Sequence, residues 1–189
     1  MERVVTKVDY EVVIVGGGPV GATLACGLAN RGGRVAVIES ADNTTPLPPG
    51  YDSRAYALAL GSRLLLEATG GWPADATTTP INRIDIAQQH FPGHAVLDSA
   101  VEQVPALGYV VIAHDLGAAL YDRLAASDVE LVRPASITTL AHGRGACRLT
   151  LETGTGNREV TARVVVAADG ARSTTREQAG LAAHTIDYG

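Results

Sequence analysis

At 189 residues, 46% of them hydrophobic, the chain is long enough to bury the core of a globular domain, which excludes disorder as its default state. A net charge of −5 with 15 scattered basic residues leaves no electrostatic footprint for nucleic acid or for an anionic membrane surface. Met1 to Lys7 holds no long apolar run, and no stretch approaches the ~20 apolar residues that span a bilayer. A soluble cytoplasmic protein is therefore expected, with Cys26 and Cys147 as reduced packing residues.

Val12 to Val15 is a continuous β-branched run without polar alternation, which suits a parallel strand buried on both faces. Gly16-Gly17-Gly18-Pro19-Val20-Gly21 follows, a Gly-x-Gly-x-x-Gly turn. Gly16 permits the sharp turn, Gly18 lets the backbone approach a pyrophosphate, and Gly21 removes a Cβ that would hold the next helix away from the strand. That helix starts at Pro19, where a missing N–H costs nothing. Val20, Leu24, Ala25, Leu28 and Ala29 form its apolar face, and a glycine after Asn30-Arg31 is expected to end it. An anion at its start gains free N–H donors and the aligned peptide dipoles. The second strand, Val35 to Ile38, ends in Glu39, where a carboxylate can accept hydrogen bonds from an adenosine ribose and would repel a 2′-phosphate. The tightly held nucleotide is expected to be FAD or NAD, not NADP.

Residues 40 to 50 are a proline-rich irregular loop, followed by Tyr51-Asp52-Ser53-Arg54-Ala55-Tyr56-Ala57-Leu58. Arg54 could fork onto a pyrophosphate or be a solvated arginine at a helix start. Ser62 to Thr69 predicts a short helix ended by Gly70-Gly71. Ile81 to Ala87 alternates as a half-buried strand, and Tyr109 to Ile112 is another, with a loop between; both strands are expected to lack partners and to promote self-association. His90 and His94 read as surface turn residues, because Pro92 and Gly93 forbid a helix that would align them on a metal. Asp115, after His114, is placed to N-cap a helix through Leu116, Leu120 and Leu124; either residue could face a cofactor, although capping alone accounts for Asp115. Val129 to Val132 is a strand. Ile137 to Leu140, Cys147 to Leu151 and Val160 to Ala162 suggest a small antiparallel set turning at Gly143 to Gly145 and Gly154 to Gly156.

Arg163 to Ala168 reads as a further buried strand running into Asp169-Gly170. An Asp-Gly pair alone suits a hairpin turn. Here Ser173 and Glu177, close to capping-box spacing, announce a helix instead, so Asp169 stands at the carboxyl end of a strand, where open α/β sheets bind ligands.

Taken together, Val15 to Gly21, Glu39, Tyr51 to Leu58, and Ala168-Asp169-Gly170 through Ser173 and Arg176 resemble the class A flavoprotein monooxygenases, the fold family of para-hydroxybenzoate hydroxylase. Asp52-x-Arg54-Ala55 narrows the resemblance to ubiquinone-biosynthesis hydroxylases of the 2-polyprenyl-6-methoxyphenol hydroxylase type. The resemblance implies an α/β fold: a Rossmann-like FAD-binding domain over 1–79 and 113–189, with a parallel sheet and a small antiparallel insertion, plus the first strands of an incomplete substrate-domain sheet over 80–112. It implies FAD against Gly16, Gly18, Pro19, Val20, Gly21, Glu39, Ser40, Arg54, Asp115, Asp169 and Gly170, although Asp115 stands where relatives tend to carry Asn, Gln or Arg.

By the same resemblance NADPH is the transient reductant, and a flavin C4a-hydroperoxide hydroxylates a small phenolic substrate. A polyprenylated substrate would place the enzyme at the membrane periphery or in a biosynthetic complex. Relatives are about twice as long, so the chain is expected to be a fragment that binds FAD without hydroxylating anything. The rival readings are another FAD-dependent oxidoreductase, of the geranylgeranyl-reductase or amine-oxidase type, and a nucleotide-binding module without catalysis.

Overall fold

A computed structural model of the chain describes residues 7–42, 53–90 and 92–186. Most of the proline-rich loop and the Tyr51-Asp52 part of the third motif lie outside the described residues. In chain order the elements are β1 (Tyr10–Val15), α1 (Pro19–Leu28), β2 (Val35–Ile38), β3 (Ala55–Ala59), α2 (Leu60–Thr69), β4 (Thr78–Ile81), β5 (Arg83–Ala87) and β6 (His94–Asp98). They continue with β7 (Gly108–Ile112), α3 (Ala113–Ala125), β8 (Glu130–Val132), β9 (Ala135–His142), β10 (Cys147–Thr153), β11 (Gly156–Ala167) and α4 (Thr174–Gln178). They fall into two units, Met1–Pro46 with Leu124–Gly189, and Leu47–Arg123.

The first unit is one six-stranded sheet in the order β8-β2-β1-β11-β10-β9. β8, β2, β1 and β11 run parallel, while β11, β10 and β9 are antiparallel neighbours. Every residue of β2 is buried, and Val13 and Ile14 of β1 are fully so, as an apolar β-branched run in a central strand requires. The core gathers Tyr10, Val13 and Val15 with Ile38, Ile137, Leu149, Leu151 and Val160.

Several expectations change here. Helix α1 packs through its small residues Gly21, Ala22, Ala25 and Cys26, while Val20 is 78% exposed and Leu24 lies outside the core. A helix lying this close to a sheet has room only for short side chains. Its end is marked by Asn30 in the left-handed conformation at φ 58°, not by a glycine. The two strands read over 160 to 168 are a single strand, β11, that pairs with β10 through Gly156 to Ala162 and with β1 from Ala162 onward. Beyond Ala162 only β1 flanks it among the described residues, so the expected burial fails and Val164 is 51% exposed.

The second unit contains a three-stranded antiparallel sheet, β3-β7-β4, and the two-stranded ribbon β5-β6. Arg54 thus precedes a strand, not a helix, and its carbonyl accepts the Ala113 N–H at 2.9 Å. Helix α2 ends where expected, at a left-handed Gly70. The run 81 to 87 divides at Asn82: β4, with Pro80 on a sheet edge, pairs with β7, while β5 pairs with β6. β5 is exposed along its whole length, because β6 supplies hydrogen bonds but no core, so it is not the half-buried strand expected. Tyr109 to Ile112 belongs to β7, which has partners on both sides, contrary to expectation. His94 opens β6, where a loop was read, and His90 occupies a turn with φ 65°. β7 runs directly into α3, so Asp115 lies in the first helical turn and is not the cap.

Candidate functional site

A cleft of about 350 Å³ opens at the carboxyl ends of β1, β2 and β11. Its walls come from Val15, Gly16 and Gly18, from Ile38, Glu39 and Ser40, from Ala135, Ser136 and Ile137, and from Ala168, Asp169, Gly170 and Thr174. Three parallel strands end side by side here, so main-chain groups at their carboxyl ends line the opening.

The glycine turn is held from several directions. Gly16 has φ +103°, and a Cβ there would lie 2.4 Å from the Ala168 carbonyl oxygen at the end of β11. A Cβ on Gly21 would stand 2.0 Å from the Gly16 carbonyl oxygen and 3.2 Å from the Ala168 side chain. At Gly18, by contrast, φ is −65° and ψ 178°, and a Cβ would meet nothing within 4 Å. Two of the glycines are thus required by the protein's own packing, while the third faces open space beside the cleft. Gly16 N–H donates to the Ile38 carbonyl at 2.8 Å, and the buried Gly17 N–H donates to Glu39 Oε2 at 2.6 Å. Glu39 Oε1 accepts the Ala41 N–H at 2.8 Å and the Ser40 hydroxyl at 3.4 Å.

On the opposite wall the Asp169 carboxylate is engaged by its own chain. Oδ1 accepts a short hydrogen bond from the Ser173 hydroxyl, and Oδ2 accepts the Thr175 N–H and hydroxyl, both at 3.0 Å. Burial alone would push the carboxyl up; the bonds from Ser173 and Thr175 outweigh it and hold Asp169 below the ordinary carboxylate range. Ser173 Oγ also accepts the Arg176 N–H at 2.9 Å. The expected capping box with Glu177 is not formed, because Glu177 lies one residue beyond the position that could reach back. Ser173 is therefore the N-cap alone, Asp169 accepts the first-turn Thr175 N–H beside it, and Gly170, at φ +85°, lies on the rim of the cleft.

The residues at 9–188 match the model of a family described as FAD binding domain. The chain belongs to that family. Ubiquinone hydroxylase UbiL of Rhodospirillum rubrum is 39% identical over 95% of this chain and 41% of its own length. The 3-demethoxyubiquinol 3-hydroxylase of Escherichia coli is 35% identical over 97% of this chain and 47% of its own length. The anhydrotetracycline hydroxylase OxyS of Streptomyces rimosus superposes with a TM-score of 0.75 at 26% identity, over 90% of this chain and 34% of that structure. These likenesses bear out the resemblance to flavoprotein aromatic hydroxylases. The chain spans less than half the length of these relatives.

The geometry of this FAD-binding domain fits the dinucleotide. At Gly18 the backbone is bare where a pyrophosphate must come close, and α1 begins there with a proline that leaves no N–H wasted. Of the residues expected from sequence, Gly16, Gly18, Glu39, Ser40, Asp169 and Gly170 line one cleft. Pro19 and Val20 start α1 beside it, and Gly21 lies buried beneath the turn. Arg54 and Asp115 belong to the other unit, where the Asp115 carboxylate meets His114 Nδ1 at 3.3 Å. Ala135, Ser136, Ile137 and Thr174 also line the cleft and were not expected there from the sequence. The start of β9 carries no motif, and the Ala135 N–H, donating to the Glu39 carbonyl at 2.8 Å, ties it to the end of β2 beside the cleft. Among the described residues no group of three or more His, Cys, Asp or Glu side chains could hold a metal ion, and no helix is long and apolar enough to cross a membrane.

Proposed function

We propose that this chain is the FAD-holding part of an NADPH-dependent hydroxylase that acts on a phenolic ring of the quinone-precursor kind. The observation that carries the reading is the convergence of Gly16, Gly18, Glu39, Asp169 and Gly170 on one cleft, in a chain whose relatives include ubiquinone hydroxylases at 35% to 39% identity. When bound, FAD supplies the redox chemistry that no protein side chain provides.

The residues contribute binding and orientation. The turn Gly16 to Gly18 and the start of α1 receive the pyrophosphate, Glu39 and Ser40 face the adenosine ribose, and the Asp169-Gly170 turn borders the flavin-bearing side. Glu39 disfavours a 2′-phosphate by charge repulsion, so NADPH visits as a reductant and does not occupy this cleft. Arg54 and Asp115 are the remaining candidates for cofactor contact, on the pyrophosphate and near the flavin respectively. A polyprenylated substrate would bring the enzyme to a membrane surface or into a biosynthetic complex.

The test has two parts. The chain should quench FAD fluorescence on titration and bind FAD more tightly than NADP. The whole protein, supplied with NADPH, O2 and a phenolic quinone precursor, should yield a product heavier by one oxygen on mass spectrometry. Tighter NADP binding would overturn the cofactor assignment, and NADPH oxidation without a hydroxylated product would favour another flavin oxidoreductase.

A further inference from the structure

Glu39 is engaged more heavily than a ribose contact requires. Its Oε2 holds the Gly17 N–H at 2.6 Å, and its Oε1 takes the Ala41 N–H at 2.8 Å and, at 3.4 Å, the Ser40 hydroxyl. A carboxylate offers about four lone-pair sites, so one remains for a ribose hydroxyl. The Gly17 amide is buried, and an amide so placed needs an acceptor. Gly16, Gly17 and Gly18 carry no side chains that could fix the turn from within, and glycine is the residue with most backbone freedom to lose on ordering. Gly16 is anchored by the Ile38 carbonyl at 2.8 Å, so the last residue of β2 and the one after it hold two successive amides of the turn.

We infer that Glu39 is the positioning residue of the pyrophosphate turn: its Oε2 anchors Gly17, and this anchoring sets the affinity of the turn for a pyrophosphate independently of any ribose contact. The inference rests on the FAD reading of the cleft. It makes a signed prediction, because the two roles of the carboxylate act in opposite directions on a ligand that has no ribose. If Glu39 only reads ribose, removing its charge beside an anion site strengthens the binding of inorganic pyrophosphate. If it anchors Gly17, loosening the turn weakens that binding.

The experiment measures inorganic pyrophosphate as a competitor of FAD fluorescence quenching, correcting for each variant's own FAD affinity. Glu39→Asp keeps the charge but is one methylene short of Gly17; Glu39→Gln keeps the length but offers one acceptor oxygen to two backbone N–H groups. Both should weaken pyrophosphate about three- to tenfold while keeping the wild-type circular-dichroism spectrum, with a small loss of melting temperature from the less well satisfied Gly17 amide. The Gly17 amide resonance should also move in ¹⁵N-resolved NMR spectra of both variants, because its acceptor is displaced in one and shared in the other. Pyrophosphate affinity equal to or above wild type in both variants would overturn the inference, as would a Gly17 resonance that stays in place in both. Either result would leave the FAD reading intact provided the wild-type chain binds FAD; a wild-type chain that binds neither ligand removes the FAD reading itself.

Discussion

Gly18 and Gly21 lie three residues apart in one motif, yet the structure separates what each does, and alanine or valine at either position tests the separation. At Gly18 the backbone angles suit any residue and a Cβ meets nothing within 4 Å. Replacing glycine in an allowed conformation stabilises by about 0.4–1 kcal/mol through the unfolded chain, and the weaker helix-capping tendency of alanine offsets a similar amount. At ~2–4 °C per kcal/mol for a chain of this size, Gly18→Ala should melt within about 2 °C of wild type. If the pyrophosphate is received at this turn as proposed, the same Cβ enters the space it needs, so Gly18→Val should lower FAD affinity at least about tenfold, or ~1.4 kcal/mol. At Gly21 the Cβ would be 2.0 Å from a backbone oxygen that cannot swing aside. Helix α1 must then shift off β1, and overpacking of this kind costs about 1–3 kcal/mol, here at the upper end, so Gly21→Ala should lose about 6–12 °C. Circular-dichroism melts and FAD fluorescence titrations on the same samples read both effects. Undiminished FAD binding by Gly18→Val would show that the cleft is not the clamp, and a wild-type melting curve for Gly21→Ala would show that α1 does not pack as described.

Asp169 links the cleft to acid stability. Its folded pKa lies below the ordinary aspartate value of 3.8, so its bonds to Ser173 and Thr175 stabilise the fold above that pH and are lost as pH falls through the depressed folded value. Asp169→Asn should therefore flatten the acid limb of a stability curve below pH 3.8, and an unaltered acid limb would mean that the carboxylate is not engaged as described. The two thiols should differ in accessibility, since Cys26 is buried in α1 and Cys147 is partly open on β10. Alkylation followed by mass spectrometry should label Cys147 first, and equal rates would contradict the packing of α1. The β5-β6 ribbon exposes Ile84, Ile86, Val96 and Leu97, and light scattering should detect self-association that Ile86→Lys reduces; a monodisperse monomer at high concentration would refute it.

The clamp was legible because several local signals agreed there. A β-branched run, three glycines with separate tasks, a proline at a helix start and a glutamate at a strand end reinforce one another within 30 residues. Boundaries and packing were less legible wherever a neighbour decided them. The apolar residues Val20 and Leu24 suggested the buried face of α1, but the close approach at Gly21 admits only Ala22, Ala25 and Cys26, and that distance is a tertiary fact. Pro80 and Asn82 gave the point at which 81 to 87 divides, yet alternation alone read it as one strand.

The cleft shows the same division between local and tertiary information. Glu39 and Asp169 were placed by motif at the ends of their strands, and both stand there. Their carboxylates nevertheless spend most of their acceptor sites on the protein, on Gly17 and Ala41 in one case and on Ser173 and Thr175 in the other. A motif records which residue type a site keeps; it does not say whether the side chain meets the ligand or holds the backbone that does. β11 extends the point. Its first half belongs to the antiparallel meander and its second half lies beside β1, so one continuous strand carries the Asp169-Gly170 turn from the core to the cleft. The exposure of Val164 follows from that double allegiance, since the pairing with β10 ends at Ala162 while the strand must continue to reach the glycine turn at Gly16.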